Sequence, residues 1–334
     1  EQVLSDSTEK DPAADNGYRG EQLLLVTVKS GDYQGQQMQV YNYVGPLYGG
    51  PLHAGDRATI LISSYSDGTV NATVYEFDRL IPLAIVVALF IAAAVIVGGR
   101  TGAKSLVALA VTLMCLFGVL LPALMKGANT LLMTFIVCAY VAVVSLTIVG
   151  GVQKKSVCAM LGAVAGTALA LLFGLLAQAL TRVDGLRIED VEPLLQLRQT
   201  GTPIGLRGLL VGGIIISALG AVMDVTMGIA SSLAEVHAAN PQLSRRELFR
   251  SGMNIGRDMV GTMTNTLILA FLGSGFTLIL YLYSLGLSFR QLMSSAYVSM
   301  EVVSGVASSV GVILSIPLTA LITAAVFTRE KQQS

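Results

Sequence analysis

Charged side chains are scarce in this chain. Only 13% of its 334 residues are Asp, Glu, Lys or Arg, too few to cover a soluble globule of that size. Together with 53% hydrophobic residues and a mean hydropathy of +0.70, this points to an integral membrane protein. Net charge is lacking too. Lys plus Arg and Asp plus Glu each total 21, so no general attraction to nucleic acid is expected.

Cysteine and histidine are nearly absent. Cys115, Cys138 and Cys158 lie in or beside apolar runs, spaced neither as a metal site nor as a disulfide framework, and read as small buried hydrophobes. His53 and His237 are far apart and expected on opposite sides of a membrane, so a zinc centre is not expected. A nucleotide site is lacking as well. The turn "GGRTGAKS" superficially suggests a P-loop, but Ala103 stands where the pattern needs Gly, and an apolar run precedes it instead of a strand. No cofactor is expected.

Two kinds of segment are present. Residues 1–22 read as a flexible polar lead, starting at Glu1 without a methionine, as if a signal peptide or anchor had been removed. Residues 23–78 hold the β-type runs LLLVTV, MQVYNY, RATILIS and TVNATVYEF, separated by turn residues. They predict about five strands in a small all-β domain, OB-like or barrel-like.

Residues 79–327 read as a transmembrane helical domain, with 328–334 as a cytoplasmic tail. Seven runs are long enough to cross a hydrocarbon core of about 30 Å: 80–98, 104–122, 129–149, 157–180, 208–233, 258–284 and 296–327. Without water in the bilayer core, the backbone must bond to itself, so these runs are helices. The fold class is therefore mainly α, a polytopic bundle with a small N-terminal β-domain.

Basic residues set the expected orientation. Arg100, Lys104, Lys154, Lys155, Arg245, Arg246, Arg250, Arg257, Arg329 and Lys331 mark one side as cytoplasmic. The other side has Lys126, Arg290 and the loop 181–207, whose arginines are matched by Asp184, Glu189, Asp190 and Glu192. The β-domain is then expected outside and the C-terminus inside. Gly273-Ser274-Gly275 and Pro317 could each break or kink a helix. Packing is the commoner cause of such breaks, although transporter sites also use them. Gly162, Gly166, Ala170 and Gly174 form a small-residue ridge suited to close helix contact, and Gly208 and Gly212 start another.

Ionisable groups at membrane depth cost a few kcal/mol and normally face a polar interior. Asp224 lies deep in the fifth run, on one face with Ser217, Gly220, Gly228 and Ser231. Glu301 shares a face with Tyr297, Ser304, Ser308, Gly311 and Ser315. Asn254, Asp258, Thr262 and Asn265 fall on one helix stripe, flanked by Thr264 and Thr266. Ahead of it, Ser244 and Glu247 have capping-box spacing, and Leu243, Leu248 and Met253 are expected to rest on the membrane surface.

Several segments carry a family resemblance. "SALGAVMDVTMGIASSL", "NPQLSRRELFRSGMNIGRDMVGTMTNTLILAF" and "SVGVILSIPLTA" resemble signature segments of the YibE/F-like family of bacterial multi-pass membrane proteins. "KGANTLL", "GGRTGAKSL" and "GDRATI" fit it too, extending the likeness over about Val26 to Ala325. The resemblance implies an extracytoplasmic N-terminal domain followed by a helical bundle, and implies no activity.

The residues themselves suggest a transporter or channel-like permease for a small cation or a proton-coupled solute. Asp224, Asp258, Asn265, Glu301, Thr262, Thr266, Asn254 and Arg257 are the candidate pathway residues, with Arg257 able to pair with an acid. Their oxygens suit hard cations, and Asp224 and Glu301 could hold one. Enzymatic chemistry is not expected; an intramembrane aspartyl protease would need motifs absent around Asp224 and Asp258. The expected partners are the lipid bilayer and a small ion or solute. A homo-oligomer, or a protein partner on the β-domain, is left open. The rival reading is a receptor or scaffold that binds a partner through that domain.

Overall fold

A computed structural model describes residues 1–11, 17–46, 48–64, 70–183, 192–199, 201, 203 and 208–329. The acidic Asp184, Glu189 and Asp190 and the basic Lys331 lie outside the described residues. The chain divides into two compact units, Glu1–Ala93 and Ala94–Ser334.

Among the described residues the first unit contains six strands: β1 (Gln2–Asp6), β2 (Glu9–Lys10), β3 (Tyr18–Thr27), β4 (Gln37–Val44), β5 (Ala58–Ser64) and β6 (Val70–Phe77). Their order in the sheet is β1-β3-β4-β6-β5, with β2 also on β3. Every pairing is antiparallel except β4 with β6, which meet in parallel at Tyr41 and Thr73. Alternation along β4 buries Val40, Asn42 and Val44 and exposes Tyr41 and Tyr43, as a sheet with one packed face requires.

The stretch expected to be a flexible lead is instead partly strand. β1 pairs along β3 from Gln2↔Leu25 to Asp6↔Gln22. Its apolar content is low, and a polar ladder accompanies the pairing. The Gln22 amide donates to Asp6 Oδ2 at 2.8 Å, and its carbonyl oxygen accepts from Asn42 Nδ2 and Leu52 N, both at 2.9 Å. Buried amides are tolerated only when bonded in this way. Gly20 fits the same edge. Its φ is +139°, and a Cβ there would lie 2.5 Å from the Ser7 carbonyl oxygen.

Ten helices follow among the described residues: α1 (Leu80–Cys115), α2 (Leu121–Met125), α3 (Thr130–Gly150), α4 (Lys154–Thr181), α5 (Glu192–Gln199), α6 (Leu209–Ala239), α7 (Arg245–Ser274), α8 (Phe276–Ser284), α9 (Phe289–Ser294) and α10 (Ala296–Arg329). A π-helical turn, Leu116–Leu120, joins α1 to α2. Among the described residues, five helical stretches are long and apolar enough to cross a membrane, or six if the bent α7–α8 pair counts as one. The expected spans 80–98 and 104–122 fall within a single stretch, Leu80–Met125. That stretch is not straight. Gly99 has φ 54° and ψ −134°, and Gly102 comes directly over the Ala94 carbonyl oxygen. In an unbroken helix those two residues would be about 12 Å apart, so the helix turns sharply at Gly99.

The core of the second unit is built by α4, α6, α7 and α10, with α3 against α4 and α6. Small residues bring these helices close. A Cβ at Gly162 would strike Thr319 Oγ1, and one at Gly166 would lie 2.6 Å from Ser315 Cβ. On α7, Gly252 faces Ala320 and Leu233, and Gly256 faces Ile316. Backbones that approach this closely gain dispersion contact where lipid provides no hydrophobic drive. α10 continues through Pro317 as one helix.

Candidate functional site

α7 starts with a complete capping box. Ser244 accepts from the Glu247 amide, and the Glu247 carboxylate accepts from the Ser244 N–H. Leu248 is fully buried, and Leu243 and Met253 pack partly against the same core. This corrects their expected place on the membrane surface, because Gly252 and Gly256 draw the first turns of α7 onto α6 and α10. Arg245, Arg246 and Arg250 remain exposed.

The helix ends at Gly273-Ser274-Gly275, where the axis bends by 61° into α8. Ser274 Oγ and Gly275 N both donate to the Phe271 carbonyl, tightening the last turn. Gly275 is buried in the bend. A Cβ there would lie 3.2 Å from Tyr297 Oη and 3.5 Å from Glu301 Cγ, so α10 sets the Glu301 side chain against the break. Glu301 Oε2 is shielded from solvent and has no hydrogen-bond partner among the described residues.

Asp224 lies on the exposed face of α6 and does not meet Glu301. α6 and α10 run parallel. Ser217 and Ser308 hydroxyls meet at 3.0 Å, Thr226 and Thr319 both border Gly162, and Leu233 and Ala320 both border Gly252. Asp224 lies seven residues beyond Ser217, and Glu301 seven residues before Ser308. At 1.5 Å per residue the two acids are roughly 20 Å apart along the bundle. Among the described residues, no group of three or more His, Cys, Asp and Glu side chains could hold a metal ion.

The polar stripe of α7 lies on its outer face. Asn254, Arg257, Asp258, Thr262, Asn265 and Thr266 are exposed, whereas Leu248, Gly252, Gly256 and Leu267 are buried. Met259 packs on Gly228, one turn from Asp224, so Asp258 and Asp224 flank the same α6–α7 contact. Thr262 and Thr266 donate to the helix carbonyls of Met259 and Thr262. Thr264 is turned inward, and its hydroxyl has no partner among the described residues.

Sequence reasoning missed a run of buried hydroxyls. Thr167 on α4, Thr226 on α6, and Thr319 and Thr323 on α10 are all fully buried. Thr319 continues the helical register of Ser308 and Ser315, the one signal that could have identified it. Thr167, Thr226 and Thr319 donate to carbonyls of their own helices, which makes them internally satisfied packing groups.

These features define a polytopic helical membrane protein with a small N-terminal sheet and ionisable groups among its spans. Residues 86–329 match the model of the YibE/F-like protein family, and the chain belongs to that family. No curated protein and no solved structure matches it.

Proposed function

We propose that this protein is a permease of the bacterial plasma membrane, moving a small cation or a proton-coupled solute. One observation carries the reading: Glu301 is set against the break between α7 and α8 with a buried, unpartnered carboxylate oxygen. Carboxylates at membrane depth mark ion and proton paths, and broken helices recur at transporter sites. Asp224, exposed on α6, serves as a second station only where another surface closes over it. The outward-facing Asn254, Arg257, Asp258, Thr262, Asn265 and Thr266 line a path only where another surface closes over them. No catalytic chemistry is assigned, and a gradient supplies the energy.

In this reading there are seven spans. The breaks at Gly99 and Gly275 favour that count, the first dividing one long stretch into two crossings and the second bending one crossing. The basic residues place the N-terminal sheet, read as a small OB-like module, outside and the C-terminus in the cytoplasm.

The experiment is cation and proton flux into proteoliposomes. Wild type is expected to exceed empty liposomes, with Glu301→Gln falling to background and Asp224→Asn slowed. Wild-type flux in both variants would remove the two acids from the mechanism. A second reading, a receptor or scaffold, has one observation in its favour. Tyr41, Tyr43, Tyr48 and Tyr75 are all exposed on the β-domain, with Tyr41 and Tyr43 stacked at 6.4 Å. It predicts that replacing those tyrosines abolishes function while Glu301→Gln does not.

A further inference from the structure

The outer face of α7 presents polar groups where lipid would otherwise lie. Met259 packs on Gly228, five residues from the inner end of the run 208–233, which places the neighbouring Asp258 at the inner edge of the apolar zone. Asn265 lies seven residues further along, about 10 Å deeper. Asp258 makes no ion pair among the described residues, and Arg257 reaches only Asn254 Oδ1 at 3.3 Å. Charged and amide groups left against hydrocarbon are costly, so a surface that bonds to them is favoured.

We infer that this face is where two copies of the chain meet, α7 against α7 across a two-fold axis. The contact would comprise Asn254, Arg257, Asp258, Gly261, Thr262 and Asn265. Three properties select a second copy over a different protein. The face has adjacent charges of opposite sign, so a two-fold rotation brings Arg257 of one copy towards Asp258 of the other. Asparagine and threonine both donate and accept, so identical stripes satisfy each other. Gly261 has nothing within 4 Å of where its Cβ would be, leaving room for close backbone approach. The inference goes beyond the permease reading and does not rest on it.

The test is disulfide cross-linking of the full chain in native membranes, with Thr262→Cys and Asn265→Cys compared with Leu172→Cys. Leu172 is an exposed residue of α4, and wild type reports any background from its own three cysteines. A homodimer band is expected from both α7 variants and not from Leu172→Cys. Single-molecule photobleaching of labelled wild type in bilayers should then show two steps. Asp258→Ala with Asn265→Leu should weaken association at least about tenfold, equivalent to 1.4 kcal/mol. Equal cross-linking at α4 and α7, one-step bleaching, or an adduct with a different protein would overturn the proposal. The first two outcomes would leave the stripe facing lipid or water. The cysteine variants alter single outward side chains, so their result stands even where the double variant fails to fold.

Discussion

At the scale of single residues, Asp6 shows how a polar group can order a strand that few apolar contacts hold. The Thr8 hydroxyl, the Gln22 amide and the Thr8 N–H all donate to its carboxylate, and together they hold it below the usual carboxylate value of 3.8. A depressed folded-state value adds stability above the unfolded value, and that stability is lost as pH falls through the folded one. Acidification below about pH 4 should therefore lower the protection of β1 amides, relative to their intrinsic exchange rates, before that of β4, and Asp6→Asn should remove that pH dependence. Exchange of the full chain followed by mass spectrometry measures both. Simultaneous exchange of the two strands would show that the carboxylate does not control the edge. β1 was illegible in the sequence for the same reason: backbone pairing and the carboxylates of Glu1 and Asp6 hold it, without an apolar alternation.

At the scale of elements, α7 shows which parts of a membrane helix can be read in advance. Its cap, its break and its polar stripe all follow from residue type and a 3.6-residue period. The direction of the stripe does not. Gly252 and Gly256 offer no side chain to signal a packed face, yet they bring α7 onto α10 and turn Asn254, Asp258 and Asn265 outward. For the same reason the candidate pathway was only partly legible. Glu301 could be located as an intramembrane acid, but its position against Gly275 depends on how α10 packs on the bend. Gly256→Ala should drive a methyl into Ile316 and cost about 1–3 kcal/mol, as overpacked cores do. Thermal unfolding in detergent should show a lowered midpoint for Gly256→Ala and little change for Gly213→Ala, whose site is open. A midpoint equal to wild type for Gly256→Ala would mean that the two helices separate freely.

At the scale of the whole molecule, the second unit is made mostly of helices that share small residues, and the first unit is a sheet with an exposed tyrosine face. Composition predicted a membrane protein, and the lengths and spacing of the apolar runs predicted a helical bundle preceded by a β-domain. The number of crossings was harder to read, because one apolar stretch contains the turn at Gly99 and another contains the bend at Gly275.

The parallel arrangement of α6 and α10 bears on one of those ambiguities by parity. A chain that leaves α6 at one surface and enters α10 from the opposite surface must have traversed the bilayer in between. With α6 and α10 both spanning, the bent pair α7–α8 would cross the bilayer once, its bend level with the first turn of α6, and would not be a loop that dips in and returns by the way it came. Accessibility tags after Asn240 and after Ser288 should consequently report opposite compartments, and labelling from the same side at both sites would refute the parity argument.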